Sequence, residues 1–178
     1  MKWSLISAVM IAVARVADAA EPGQLPAIRL QMDDDAGVPV AMLRKSQDEV
    51  VRIFAAVGVG AEWTETAPSI AVRIVTSALA YAGRSSSVMG VALRRPGGAT
   101  AQIFLKQVQD FARTYDGDVS ILLAHVIAHE IGHLLLPRMP HSPTGLMKGD
   151  WDRTLVREAA AGSLTFTDAQ VQRLLALR

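Results

Sequence analysis

Cysteine is absent from this chain of 178 residues. That excludes a disulfide scaffold, a thiolate metal site and a cysteine nucleophile together. An excess of either charge is also missing: Lys and Arg number 18, Asp and Glu 17, for a formal net charge of +1. The pI near 8.2 therefore describes a near-neutral molecule, without the basic footprint that marks nucleic-acid binding. No internal repeat and no low-complexity linker divides the sequence. What is present is 51% apolar and 20% charged residues, with a mean hydropathy of +0.26. That balance argues for a folded chain. The length suits one ordinary domain with its own core.

The uncharged run that opens the chain, Trp3 to Ala14, is shorter than the roughly 20 apolar residues a membrane-spanning helix needs. Lys2 precedes it, and Ala17-Asp18-Ala19 follows with the small-x-small form of a signal-peptidase site. Asp18-Ala19-Ala20 is a poorer second site. These features predict a signal peptide over residues 1–20, cut near Ala19 or Ala20, and a secreted or periplasmic domain over residues 21–178. The competing readings are a buried N-terminal helix and an uncut membrane tether. Cleavage would remove Lys2, Arg15 and Asp18, leaving the charges in balance and nothing to capture a polyanion. No nucleic-acid partner and no stable membrane insertion after processing are expected.

Alternation of Ile28, Leu30 and Met32 with Arg29 and Gln31 predicts a strand, and Asp33 to Pro39 a turn. Residues 40–57 read as an amphipathic helix burying Leu43, Val50, Ile53, Phe54 and Val57, ended by Gly58 and Gly60. Further strands are predicted at 61–66, 69–77, 88–93 and 101–105, with a loop at Gly83 to Ser87 and a turn at Arg94 to Gly98. Asp116-Gly117-Asp118 introduces the longest apolar helix, Val119 to about Leu136, with Asp118 or Ser120 as its N-cap and Pro137 as its stop. Two short helices follow. One spans about Trp151 to Ala161 and closes at Gly162; the other starts at the capping box Thr167-Asp-Ala-Gln170. The pattern implies an α+β fold, an α/β sandwich in which a mixed sheet packs on helix, with a small helical C-terminal part.

The long helix carries His129-Glu130-Ile131-Gly132-His133. Residues four apart share a helix face with Cβ atoms about 5–6 Å apart, so His129 and His133 can point at one zinc ion, with Zn–N near 2.0–2.1 Å. Glu130 is rotated about a third of a turn from His129. From there it can reach water beside the metal and serve as general base. A catalytic zinc usually takes three protein ligands plus water. His141, beyond the helix-breaking Pro137 and Pro140, is the candidate third ligand; its bland alternative is a solvent-exposed loop histidine. Glu158 on the later helix and, less favoured, Asp150 are the rivals. His125 lies one turn before His129, but choosing that pair would put Val126 where a carboxylate is needed. His125 is therefore expected to be a buried histidine supporting the site. Met147 closes the turn after Gly145 and is expected to be buried.

HEIGHLLLPRMPHSPTGLM, residues 129–147, resembles the active-site stretch of the metzincin clan of zinc metallopeptidases. More narrowly, it is similar to exported bacterial proteins with an HS-x-x-G-[IL]-M tail. The resemblance implies one Zn2+ held by His129, His133 and His141, Glu130 as catalytic base, Met147 in a turn beneath the metal, and an edge strand near residues 88–92. It covers residues 119–147 best. The departures are specific. The clan's glycine falls at Leu136 and its third histidine at Met139, so the loop here is two residues longer and His141 is matched by role. No tyrosine follows Met147, which removes the extra tyrosine ligand of some metzincins, and a cysteine latency switch is impossible. The expected activity is hydrolysis of a polypeptide held along the edge strand. The alternative is a zinc-stabilised binding or structural protein of the same fold.

Overall fold

The computed structural model describes residues 27–77, 88–137, 139 and 141–177. The expected signal peptide and the loop at Gly83 to Ser87 lie outside them. Within them the order is β1 (Ile28–Asp34), α1 (Val40–Ala55), β2 (Ala61–Trp63), β3 (Ile70–Val75), β4 (Gly90–Arg95), β5 (Gly98–Phe104), α2 (Leu105–Tyr115), α3 (Val119–Leu135), α4 (Arg153–Ala160) and α5 (Asp168–Leu175). The expected α+β class is the observed one.

The five strands form one mixed sheet in the order β2-β1-β3-β5-β4. Neighbours from β2 to β5 run parallel, and β4 alone is antiparallel, paired to β5 through the hairpin at Pro96 and Gly97. Parallel strands need both faces covered, and the sequence provides for this. Leu30, Ile70, Val72, Ile74, Ala101 and Ile103 are buried under the helices. Val91 and Phe104 join Val75, Val88 and Leu93 in a second, smaller cluster. Along β4, Val91 and Leu93 thus pack in this cluster, while the alternate positions Gly90, Ala92 and Arg94 line a cleft with α3.

Helix α3 is buried almost all round, from Leu122 to Gly132 without a break, as an apolar helix at the centre of a domain should be. Its N-cap is Asp118, whose carboxylate accepts from the Ser120 and Ile121 amides at 2.8 and 3.2 Å. Lys45 of α1 donates to the same carboxylate at 2.6 Å. Helix α1 buries the expected Val50, Ile53 and Phe54, with Val57 buried just past its end. Leu43, also expected inside, is only partly buried. The helix ends near the expected glycine, with Gly58 at φ +74°.

Several boundaries differ from those the sequence implies. The segment expected as strand through Thr66 leaves the sheet after Trp63, because Thr64 and Thr66 bond to one another in a turn. Strand β5 starts three residues early, at Gly98, since the hairpin is tighter than the Arg94–Gly98 turn implied. The sequence reading assigned no element to residues 106–115, and these form α2, which follows β5 directly. Leu105, Val108 and Ala112 are its buried face. The capping box at Thr167 forms as expected, with Gln170 Oε1 accepting from the Thr167 amide at 2.9 Å.

Candidate metal centre

Helix geometry places His129 and His133 on one face of α3, one turn apart, with ring centroids 4.7 Å from each other. After α3 the chain passes Pro137 and returns, bringing His141 back over the helix end with its ring 4.8 Å from that of His133 and 5.3 Å from that of His129. His133 Nε2 lies 3.1 Å from His129 Nε2 and 3.1 Å from His141 Nε2. The ligand atoms of all three fall within 4.8 Å of one another, forming the one such group among the described residues. Glu158, Asp150 and His125 are not part of it.

Hydrogen bonding fixes how His129 faces this cluster. Its Nδ1 donates to the Leu146 carbonyl at 2.8 Å, so a neutral ring turns the Nε2 lone pair toward the other two imidazoles. Burial, with a smaller contribution from neighbouring His133 and His141, pushes the His129 pKa down to about 4. Burial also lowers that of His133, and His141 adds to the effect. His129 and His133 are therefore held in the neutral, lone-pair-bearing form, the form in which imidazole binds a metal.

Three converging nitrogens cannot satisfy one another, because one proton on His133 Nε2 serves at most one of its two neighbours. A tetrahedral zinc at 2.0–2.1 Å from each nitrogen would set them about 3.4 Å apart, close to the 3.1 Å observed. The donor set fits zinc in number, kind and spacing.

The support beneath is a closed turn. Ser142 N donates to the Met147 carbonyl at 2.9 Å and Leu146 N to the Thr165 carbonyl at 2.8 Å. Gln170 Nε2 donates to Ser142 Oγ at 3.1 Å, tying the turn to α5. Gly145 makes the bend at φ +73°. Met147 is buried as expected and packs so closely on α3 that a methyl at Gly132 would collide with its sulfur. At Gly149 a Cβ would fall 2.7 Å from His141 Nδ1, so the glycine leaves the room in which the His141 ring lies.

Glu130 is buried, on the side of α3 that faces β4. Both contribute to a cleft of about 650 Å³ that also contains the three histidines. Gly90, Ala92 and Arg94 form its strand side, and Trp151 also lines it, edge-on to His129 at 6.0 Å. Trp151 is held by a bond from Nε1 to the Lys148 carbonyl at 2.9 Å and by Phe111 at 6.2 Å.

His125 is fully buried, as the sequence implied. Its Nδ1 donates to the Ile121 carbonyl of its own helix at 2.9 Å, while Nε2 sits 3.9 Å from Glu49 Oε1. The ring thus lies between α3 and Glu49 of α1, with the backbone of Leu164, in the loop before α5, also acting on it. Gly90, Arg94, Gly149 and Trp151 were not singled out from the sequence. A glycine inside a strand is a signal of close backbone approach, and Gly90 carried it; the other three had none.

Fold and cluster together define an α+β domain, a mixed sheet over a buried helix that carries a histidine triad. No protein-family model matches the chain, and no curated protein does. Among solved structures, the chain is similar to a zinc-dependent peptidase from Methanocorpusculum labreanum (strain Z), with a TM-score of 0.55 over 82% of this chain and 99% of that one. Identity is 16%, so this is a likeness of fold.

Proposed function

We propose that the chain is an exported zinc-dependent endopeptidase of metzincin-like type. The observation that carries the reading is the convergence of the His129, His133 and His141 Nε2 atoms beside the buried carboxylate of Glu130. The zinc-dependent peptidase with a similar fold supports it, as does the Met147 turn packed beneath the triad.

His129, His133 and His141 would hold one zinc ion. When bound, zinc supplies a Lewis acid that polarises a carbonyl and lowers the pKa of water to about 7. Glu130, one residue on from a ligand, takes the proton of the attacking water and delivers it to the departing amine. Its placement against β4 keeps the carboxylate at the wall where a substrate carbonyl would lie. Among the described residues no strand pairs with the outer edge of β4, so its free main-chain groups can hold an extended polypeptide by strand addition. Export rests on Lys2, the apolar run and Ala17-Asp18-Ala19. No helix among the described residues is long and apolar enough to cross a membrane.

The test is metal analysis with peptide cleavage, wild type against Glu130→Gln. The variant should keep its fold and one zinc per chain while hydrolysis falls at least ~10²-fold, the scale of a lost general base. If wild-type protein with one zinc per chain cleaves no member of a broad peptide library, the chain is a zinc-stabilised binding protein instead. Mass spectrometry of the protein expressed in a bacterial host should find an N-terminus near Ala20 or Glu21; an intact Met1 on membrane-bound product would refute export.

A further inference from the structure

Seven of the described Lys and Arg side chains are engaged in ion pairs with Asp or Glu: Arg29, Lys45, Arg52, Arg73, Lys106, Arg113 and Lys148. Arg94 and Arg95, adjacent at the end of β4, pair with no carboxylate among the described residues, and both are exposed. Arg94 also forms part of the cleft wall, on the α3 side of the strand. It donates through one terminal nitrogen to the Leu134 carbonyl, which leaves the rest of its five N–H donors for another acceptor. The other acid on the cleft besides Glu130, Asp150, lies beyond Gly149 in the loop after His141 and forms no ion pair with it.

Resting on the peptidase reading, we infer that Arg94 selects substrates with an acidic side chain two to four residues N-terminal to the scissile bond. The position follows from register. Gly90 touches Glu130, so the reacting bond lies at the start of β4. Arg94 is four residues further on, about 13 Å along the strand. Its head group returns to Leu134, one helical turn or about 6 Å beyond Glu130. These two distances bracket two to four residues of extended peptide. A peptide pairing antiparallel to β4, the stronger mode of strand addition, runs from Arg94 toward Gly90. The residues it lays beside Arg94 therefore precede the bond to be cut. A planar guanidinium with free donors matches a carboxylate in geometry as well as charge.

The zinc-loaded protein is given a mixed peptide library, and its cleavage sites are mapped by mass spectrometry. Asp and Glu should be enriched two to four residues before the cut, by about five-fold over Lys and Arg, the upper range for a partly exposed charge pair. Arg94→Glu should invert that ratio, whereas a purely structural tie to Leu134 would lower cleavage of acidic and basic sites alike. If Arg94→Glu fails to fold, Arg94→Gln is used, and the ratio should fall to about one. Cleavage with no acidic preference, or with enrichment only after the cut, overturns the inference and leaves the peptidase reading standing. If the wild type cleaves nothing, the peptidase reading has failed. The inference is then read by fluorescence anisotropy with two labelled decapeptides that differ only in bearing Glu or Lys at the central positions. Tighter binding of the Glu peptide, weakened in Arg94→Gln, supports it; equal binding overturns it.

Discussion

Gly90 and Glu130 occupy one another's space. A Cβ at Gly90 would lie 2.7 Å from Glu130 Cγ and 2.8 Å from its Oε1. The carboxylate thus rests against bare backbone of the edge strand, and its position is set by the absence of a side chain there. Gly90→Ala should push Glu130 off its place while leaving the histidine cluster untouched. Misplacement of a reacting group by about 1 Å costs roughly 10²-fold. The expected result is a fall in kcat of that order with zinc content unchanged. A variant that retains full activity would show that Glu130 is free to move and is not positioned by β4.

The identity of the third ligand separates two kinds of zinc site. His141→Ala should weaken zinc binding by more than the ~10–100-fold that follows loss of a residue merely supporting a ligand, because a donor atom itself is removed. Glu158→Ala should leave affinity unchanged, since its carboxylate is no part of the cluster. Competition against a chromophoric chelator measures both. The reverse result would overturn the proposed metzincin-like site in favour of one that takes its third ligand from α4.

The difference between what could be read from sequence and what could not follows the range of the interaction. His129, Glu130 and His133 share one helix, and helical geometry alone places them. Thr167 and Gln170 close a capping box within four residues, again a local matter. His141 was legible by role because Pro137 forces the helix to stop and a third donor was needed. The cradles at Gly90, Gly132 and Gly149 depend on which elements meet across the fold, and a sequence read locally carries only the hint of a glycine in a strand or helix. Helix α2 is a different kind of omission. Leu105, Val108 and Ala112 have helical spacing, but the segment is rich in polar residues and follows β5 directly, with no side-chain cap to mark its start.

The turn beneath the cluster should be sensitive to Gly145. Its φ of +73° suits glycine, and a Cβ there would also press on the Thr165 carbonyl at 2.8 Å. Forcing a side-chain-bearing residue into the left-handed region costs about 1–2 kcal/mol. Gly145→Ala should lower thermal stability by at least that amount. It should also weaken zinc binding, because the neighbouring Leu146 carbonyl orients His129. Unchanged stability and affinity would mean the turn relaxes freely and is no part of the support.

Acid should loosen the N-terminus of α3 as Asp118 takes up its proton. The Lys45 ammonium, aided by the Ile121 and Ser120 amides, holds the Asp118 carboxyl below the usual carboxylate range. Its folded-state pKa therefore lies below the value of about 3.9 it has in the unfolded chain. The unfolded chain then binds the proton more readily, so the contribution of Asp118 to stability is complete above that value. It is lost as pH falls toward and through the folded-state pKa. Two variants divide the effect. Asn is as good an N-cap as Asp but carries no charge, so Asp118→Asn should flatten the decline in stability between about pH 5 and 2 while keeping the cap. Asp118→Ala should lose the cap as well and be less stable by about 1 kcal/mol even at neutral pH. Urea unfolding followed by circular dichroism across that range measures both. If the wild type and Asp118→Asn lose stability in parallel, the acid response comes from other carboxylates, and the Lys45–Asp118 link between α1 and α3 contributes nothing to it.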